Sequence, residues 1–404
     1  MIVDHLALAV EVVLLEKFGK KKVVLNLSKN EHNMQPTVVF LILWTTTIGD
    51  TPESGYSSAV PAGNRIYITG NLDDGSTVFC LDAADGETVW TYRNGDAWTE
   101  MFAGTRSTPL VDGEFLYDES PLGELVCLDA ATGKRIWGRN LLNDYSTPNL
   151  LYGRSGSLRI DGDRLFTQLG GEKASMLCLD KRTGETLCLG ESTGNAAGYG
   201  SPILFDCGGV PMIAAMDAKG LFAVNRTTGK LLFHVRHPAR LDENITTPIY
   251  RDGKIFITNG AGSDSKLLRL SVQGDQVNAE EVWVNRQMAN PHHGVLLRDG
   301  LLYGATNKRG GGFACIRWDD GQDVFLDRNI VRGSFAACDE LFVILTDFGE
   351  IVAVKPGEES FEVLARHQLP DAEDGQAYTH PTVYENRLYA RVAQTLYCIQ
   401  VSSQ

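Results

Sequence analysis

From about residue 38 onward the chain is a succession of short apolar runs, each closed by a Gly-, Asp- or Thr-rich turn. The stretch 107–140 shows the unit. STPLVDG, EFLYDES, GELVCLD and KRIWGRN read as four consecutive strands, the third carrying the most continuous apolar run. Asp112-Gly113 predicts a two-residue type I′ turn between the first pair, because both residue types tolerate positive φ. AATG predicts the turn into the fourth strand, with Gly133 in the left-handed region. The Asp-Gly punctuation returns at 161–162, 252–253 and 299–300, each time after a candidate first strand. Amphipathic helical periodicity is nearly absent between residues 45 and 404.

The unit repeats. LDAADGETVW (81–90) and LDAATGKRIW (128–137) are almost the same phrase, and LDKRTGETLC (179–188) and VNRTTGKLLF (224–233) echo it. Aligned on the Asp position, the copies fall at Asp82, Asp129, Asp180, Asn225, Ser271, Arg317, Lys355 and Gln400. Repeats of some forty residues made of four short strands are propeller blades. Within the phrase, Asp82/Gly86/Trp90 and Asp129/Gly133/Trp137 divide the work, and Asp180, Gly184 and Gly229 hold the same positions in later copies. The Asp caps the turn, the Gly takes the strained dihedral, and the Trp buries a large face between neighbouring units. The phrase therefore builds; it does not catalyse. The last third strand, at 395–401, has only three residues after it, whereas VVFLILWTTTIG (38–49) has the form of a fourth strand, with Trp44 in the Trp position. The predicted fold is all-β: an eight-bladed propeller of four-stranded antiparallel blades over 37–404, its ring closed by an N-terminal strand. Residues 1–36 remain unassigned.

Charge and cysteine content narrow the function. The 404 residues carry a net charge of −14, which argues against a general nucleic-acid binder or an anionic membrane surface as partner. No run of 18 apolar residues offers a transmembrane helix. The segment 1–22 reads as neither a secretory signal nor a lipobox, since Glu11 interrupts its apolar stretch and no basic residues precede it. Of eight cysteines, five (Cys80, Cys127, Cys178, Cys315, Cys398) share one position of the phrase. They read as small buried hydrophobes, too far apart from repeat to repeat to bridge, and no CxxC pair suggests zinc.

A phrase such as LDAATGKRIW repeated around eight blades resembles the pyrroloquinoline quinone (PQQ) repeat of the quinoprotein alcohol dehydrogenase-like propellers. The resemblance covers about 38–404. One branch of that family implies an oxidoreductase holding PQQ and Ca²⁺ over the propeller axis. The other, similar to BamB, implies a non-enzymatic scaffold that binds a protein partner or a small polar ligand. The chain has no adjacent Cys pair, no CxxCH and no acidic cluster suited to Ca²⁺, so the residues point to no cofactor and favour the scaffold branch, expected to be monomeric. The family implies a periplasmic or envelope location; the N-terminal segment leaves a cytoplasmic one open.

In a propeller the loop leading into each first strand lies at the mouth of the axial channel, and a ligand site draws on several of them. Here these loops read GYSSA, GTRSTP, YGRSGS, GYGSP, NITTP, NPHHG, VRGSF and AYTHP. Small hydroxylated residues there permit close approach at the axis. The larger ones, Tyr56, Arg106, Arg154, Tyr199, His292, His293, Arg332, Tyr378 and His380, are the candidate ligand or partner face. A ring of Arg, His and Tyr in an acidic protein suits an anionic or polar ligand. His293 and His380 are placed to approach each other, but no carboxylate stands in these loops, Asp242 being the nearest, so no metal site and no catalytic residue is assigned.

Overall fold

The computed structural model describes residues 13–14, 23–24, 38–274, 276–370 and 377–403. Eight antiparallel sheets follow one another along the chain. Blade one runs outward from the axis as Val60–Ala62, Arg65–Leu72, Gly75–Asp82 and Thr88–Asp96. Blades two to seven repeat this order up to Phe361–Gln368. Blade eight takes three strands from the C-terminus, Thr382–Tyr384, Arg387–Val392 and Thr395–Ser403, and its fourth, Val38–Thr47, from the beginning of the described ring. That strand pairs from Val38↔Ser403 to Thr47↔Thr395, closing the circle as its sequence predicts. Val23–Val24 and Val13–Leu14 continue the outer edge of the same sheet; the rest of 1–36 lies outside the described residues.

Burial follows position in the blade. Gly75–Asp82 is buried at every residue but the last, because both faces of a third strand are covered by neighbouring blades. Thr88–Asp96, at the rim, is buried only at Gly95's neighbour Asn94 and otherwise half-buried or exposed.

The repeated phrase joins one blade to the next. Asp82, Asp129 and Asp180 accept turn N–H groups on their carboxylates, from Ala84 (2.9 Å), Thr132 (2.8 Å) and Thr183 (2.9 Å). The Thr132 hydroxyl at Asp129 (2.7 Å) and these N–H groups hold all three below the usual carboxylate range. Gly86, Gly133, Gly184 and Gly321 lie at φ +75°, +71°, +73° and +70°, and a Cβ on any of them would stand 2.5–2.7 Å from an indole of the preceding blade, that of Trp44, Trp90, Trp137 or Trp283. Each indole then donates its Nε1–H to the carbonyl just after the next blade's Asp position: Ala83 (3.2 Å), Ala130 (3.2 Å), Lys181 (3.0 Å) and Trp318 (2.8 Å). Gly229 differs, meeting the Leu189 carbonyl where blade three offers no tryptophan.

Two local expectations change. In blade five Trp283 pairs with Leu267, as Trp90 pairs with Cys80, so Arg269 and not Ser271 takes the Asp position. The hairpin there is longer, Ser265–Gln273 against Gln276–Asn285, and carries the extra residues beyond the phrase. The Asp-Gly turns also split into two kinds. Asp252-Gly253 and Asp299-Gly300 are the two loop residues and both take positive φ, as type I′ requires. Asp112 and Asp161 instead end their strands, the loops being 113–114 and 162–163, with positive φ only at Gly113 and Gly162. A Gly-first loop of that kind follows the II′ pattern.

A pair of glycine variants separates backbone strain from the blade contact. Gly113→Ala meets nothing within 4 Å and Gly133→Ala meets Trp90, at similar positive φ. Urea unfolding is expected to show Gly133→Ala less stable than Gly113→Ala by a further ~1–3 kcal/mol of overpacking. Equal losses would mean that the indole contact carries no weight.

Candidate functional site

The loops leading into the first strands converge on the axis and enclose a cavity of about 660 Å³. Its lining comes from the leading loops or first strands of every blade but the seventh. Six of the nine residues singled out in these loops line it: Tyr56, Arg106, Tyr199, His292, Tyr378 and His380.

One wall is aromatic. Tyr56 and Tyr378 stack with ring centroids 6.1 Å apart, Tyr152 and Tyr199 lie 5.7 Å apart, and Phe102 sets its edge on Tyr152 at 5.8 Å. The Arg106 guanidinium sits between Tyr56 (5.6 Å) and Trp98 (5.9 Å) and donates to the Gly104 and Met101 carbonyls at 2.9 and 3.2 Å. Arg159 reaches the cavity from the first strand of blade three and donates to the Leu158 carbonyl at 3.0 Å. Neither guanidinium has a carboxylate partner among the described residues. Burial pushes Arg106 down to about 10 and also lowers Arg159, so both remain cations at neutral pH. Glu243 is the one carboxylate in the lining. It accepts the Tyr152 hydroxyl at 2.6 Å, which pushes that phenol up to about 12. Burial raises Tyr56, Tyr199 and Tyr378 as well, leaving them neutral hydroxyls.

The opposite side holds the histidines. His380 donates from Nε2–H to the His292 carbonyl at 3.1 Å, while its backbone N–H donates to Ser58 Oγ at 3.2 Å. The His292 ring lies 4.8 Å from Tyr378 and 4.0 Å from His293. Burial lowers both His292 and His380 from the ordinary imidazole value. His293 is placed behind the cavity, 1% exposed, with Nε2 2.7 Å from Asp347 Oδ1. Arg332 Nε donates to the other oxygen of Asp347 at 2.6 Å and Arg332 Nη1 to Asn307 at 2.5 Å. Burial alone would raise Asp347, but His293 and Arg332 together hold it low. Ligand-capable atoms of His292, His293 and Asp347 lie within 4.8 Å of one another. Both Asp347 oxygens are already engaged, one by a guanidinium whose charge opposes a second cation. The acidic neighbour of the histidines is thus Asp347, from beyond the leading loops, whereas Asp242 pairs with Lys219 at 2.6 Å.

Arg154 also stands away from the cavity. It is 3% exposed, pairs with Glu119 and donates to the Leu169 carbonyl at 3.3 Å, while Thr167 donates to the second Glu119 oxygen at 2.6 Å. Residues not singled out in the sequence take places in the lining: Phe102, Tyr152, Arg159 and Glu243. Tyr152 and Glu243 border loops already marked by their Ser/Thr/Gly pattern, so the signal for them was position. Arg391, beneath Tyr56, is 1% exposed and bonded to the Thr69 carbonyl (2.6 Å) and Ser54 Oγ (2.8 Å), and burial pushes it down to about 9.

An eight-bladed ring tied by Asp–Gly–Trp phrases, with a funnel at its axis, is the architecture of the PQQ-repeat propellers. The family model described as outer membrane protein assembly factor BamB matches residues 94–325, more than half of the chain, and the chain belongs to that family. Among solved structures it is similar to BamB from Moraxella catarrhalis, with a TM-score of 0.64 over 90% of this chain and 98% of that one at 16% identity. It is also similar to a quinohemoprotein alcohol dehydrogenase from Comamonas testosteroni, with a TM-score of 0.60 over 89% of this chain and 76% of the enzyme at 14% identity. At such identities the likeness is one of fold. A quinoprotein ethanol dehydrogenase of Pseudomonas aeruginosa is 33% identical over 112 residues, a match that spans 28% of this chain and only 17% of the enzyme.

The funnel histidines set a pH dependence. An unfolded chain protonates its imidazoles near pH 6.5, whereas burial keeps His292 and His380 neutral to lower pH in the fold. Below that value the unfolded state binds more protons, so stability falls as pH falls. Urea unfolding between pH 7.5 and 5 is expected to show this decline, and His292→Gln to flatten it. An unchanged slope in the variant would mean that His292 protonates freely in the native state.

Proposed function

We propose that this chain is a non-enzymatic binding scaffold whose axial funnel captures a carboxylate-bearing ligand, either a small acid or an acidic side chain of a protein partner. The observation that carries the reading is the pair Arg106 and Arg159, two partly buried guanidiniums without carboxylate partners among the described residues, on a tyrosine-lined cavity. A buried unpaired cation is costly, and an incoming carboxylate repays that cost through charge-assisted hydrogen bonds. The tyrosine hydroxyls, neutral at physiological pH, add donors for the same group. An assembly-factor role such as the one named for BamB would use the same rigid face for a protein partner.

The second reading, a quinoprotein dehydrogenase, has the partial match to the ethanol dehydrogenase in its favour. The lining fits that cofactor poorly. Ca²⁺ favours several oxygen ligands, and the lining offers one carboxylate, Glu243, already bound to Tyr152. Among the described residues no tryptophan lines the cavity as a floor for a planar quinone, Trp98 standing behind Arg106.

Calorimetric titration tests both readings. Citrate and a hexaglutamate peptide serve as probes of the funnel, and PQQ with Ca²⁺, paired with a dye-linked ethanol oxidation assay, as the alternative. Binding of a carboxylate probe that weakens about tenfold in Arg106→Gln and in Arg159→Gln is the expected result, the scale of one charge-assisted contact. Ca²⁺-dependent PQQ binding with turnover would replace the proposal by the enzymatic reading. No binding of any probe, or binding indifferent to both arginines, would remove the funnel as the site.

A further inference from the structure

In four blades the phrase cysteine of the third strand faces an aromatic residue across the ladder: Cys80↔Trp90, Cys127↔Trp137, Cys315↔Phe325 and Cys398↔Trp44. Blade three departs from this. There Cys178 faces Cys188, which stands where the phrase places its aromatic residue. Directly opposed residues of an antiparallel pair point to the same face, with Cβ atoms about 4.5–5.5 Å apart. Their Cα separation, about 4.5 or 5.5 Å according to the kind of pair, lies inside the range a disulfide spans. A β-bulge follows Cys178, and such bulges bend and twist the strand, which lets the two side chains close the remaining gap.

The surroundings divide the two thiols by role. Cys178 is buried and Cys188 half-buried, so Cys188 is the one that an external reagent reaches. The hydrogen bond from Cys178 holds Cys188 down to about 7, against the effect of burial, and Arg164 adds to this. The same bond, together with burial, raises Cys178. Arg164 donates to the Arg226 carbonyl at 3.0 Å. That carbonyl follows Asn225 and is the counterpart of those taken by Trp44, Trp90, Trp137 and Trp283 at the other junctions. Arg164 thus sets a cation beside the thiol pair, as Arg65 and Arg387 do beside Cys80 and Cys398 in blades that keep their indole.

We propose that Cys178 and Cys188 form a redox couple, a cross-strand dithiol that oxidises reversibly to a disulfide and staples the third strand of blade three to its fourth. The co-reactant is a low-molecular-weight disulfide, with glutathione disulfide as its representative. The Cys188 thiolate attacks one sulfur of glutathione disulfide, breaking that bond and releasing one glutathione thiolate. Cys178 gives up its proton and attacks the Cys188 sulfur of the mixed disulfide, and the second glutathione leaves. Two electrons and two protons pass from the protein to yield two glutathione thiols. The staple falls at a junction that lacks the indole wedge. Gly229 of blade four packs there directly on Leu189 and Gly190 of the stapled strand, and both cysteines belong to the apolar cluster shared by blades three and four.

The full chain, equilibrated in glutathione buffers from reducing to oxidising, trapped with N-ethylmaleimide and mapped by mass spectrometry, tests this. Two thiols should disappear per chain in a linked Cys178–Cys188 peptide, and dithiothreitol should restore them. In the reduced protein iodoacetamide should label Cys188 roughly tenfold faster than Cys338, the other half-buried thiol, whose ionisation burial opposes. Cys178→Ala should stop at a glutathione adduct on Cys188, and Cys188→Ala should give no linked peptide, both retaining a cooperative melting transition. Wild-type protein that keeps both thiols in oxidising buffer, or that stops at the adduct, would overturn the proposal.

Discussion

Four of the eight blade junctions depend on one repeated contact: an indole pressed on a glycine of the next blade, with its N–H bonded to that blade's main chain. The glycine answers two demands at once, since its φ excludes most side chains and its Cα lies against the ring face. The Nε1–H bond fixes the indole in depth, so each wedge sets the spacing to its neighbour. Third strands are then covered on both faces, which explains their unbroken apolar character and the small cysteines among them. At the junction of blades three and four, one of those without the indole, Arg164 bonds the corresponding carbonyl and a pair of cysteines faces across the ladder.

The architecture was legible because its determinants are local. Asp, Gly and Trp at a spacing of four specify a capped turn and a wedge with no knowledge of the rest of the chain, and a period near forty-six residues counts the blades. The phrase slipped by two residues in blade five because a longer hairpin hides the register that Trp283 and Leu267 define. The Asp-Gly dipeptide served two turn geometries because strand pairing, not dipeptide identity, decides which residue enters the loop. At the funnel the leading loops could be read from their small hydroxylated residues. The direction of each side chain could not: Arg154 turns inward to Glu119 while Arg159, on the strand, faces the cavity. Pairing between separate loops, such as Asp347 with His293 of the preceding blade and with Arg332 of its own, joins residues 54 and 15 positions apart and leaves no local trace.

The funnel inverts the charge balance of the molecule. The chain carries −14 overall, yet the axial lining presents two guanidiniums to one carboxylate, with neutral imidazoles and phenols between them. Arg391 adds a third buried cation beneath Tyr56. A concave site walled by low-dielectric aromatic rings focuses such a field, and the acidic exterior keeps anions from settling elsewhere.

The strand that closes the ring sets an order on biosynthesis. Val38–Thr47 leaves the ribosome before any blade exists, yet its partner, Thr395–Ser403, is made about 350 residues later. At about 5–20 residues per second, an apolar segment reading VVFLILW waits roughly 20–70 s for its place in the sheet. Blades one to seven can form as they emerge, but the circle locks only once Thr395–Ser403 has been made, so until then the nascent ring is an open arc with an unpaired edge at each end. A holdase that shelters the segment around Trp44 during that interval would govern the yield of folded protein without touching any contact of the finished ring.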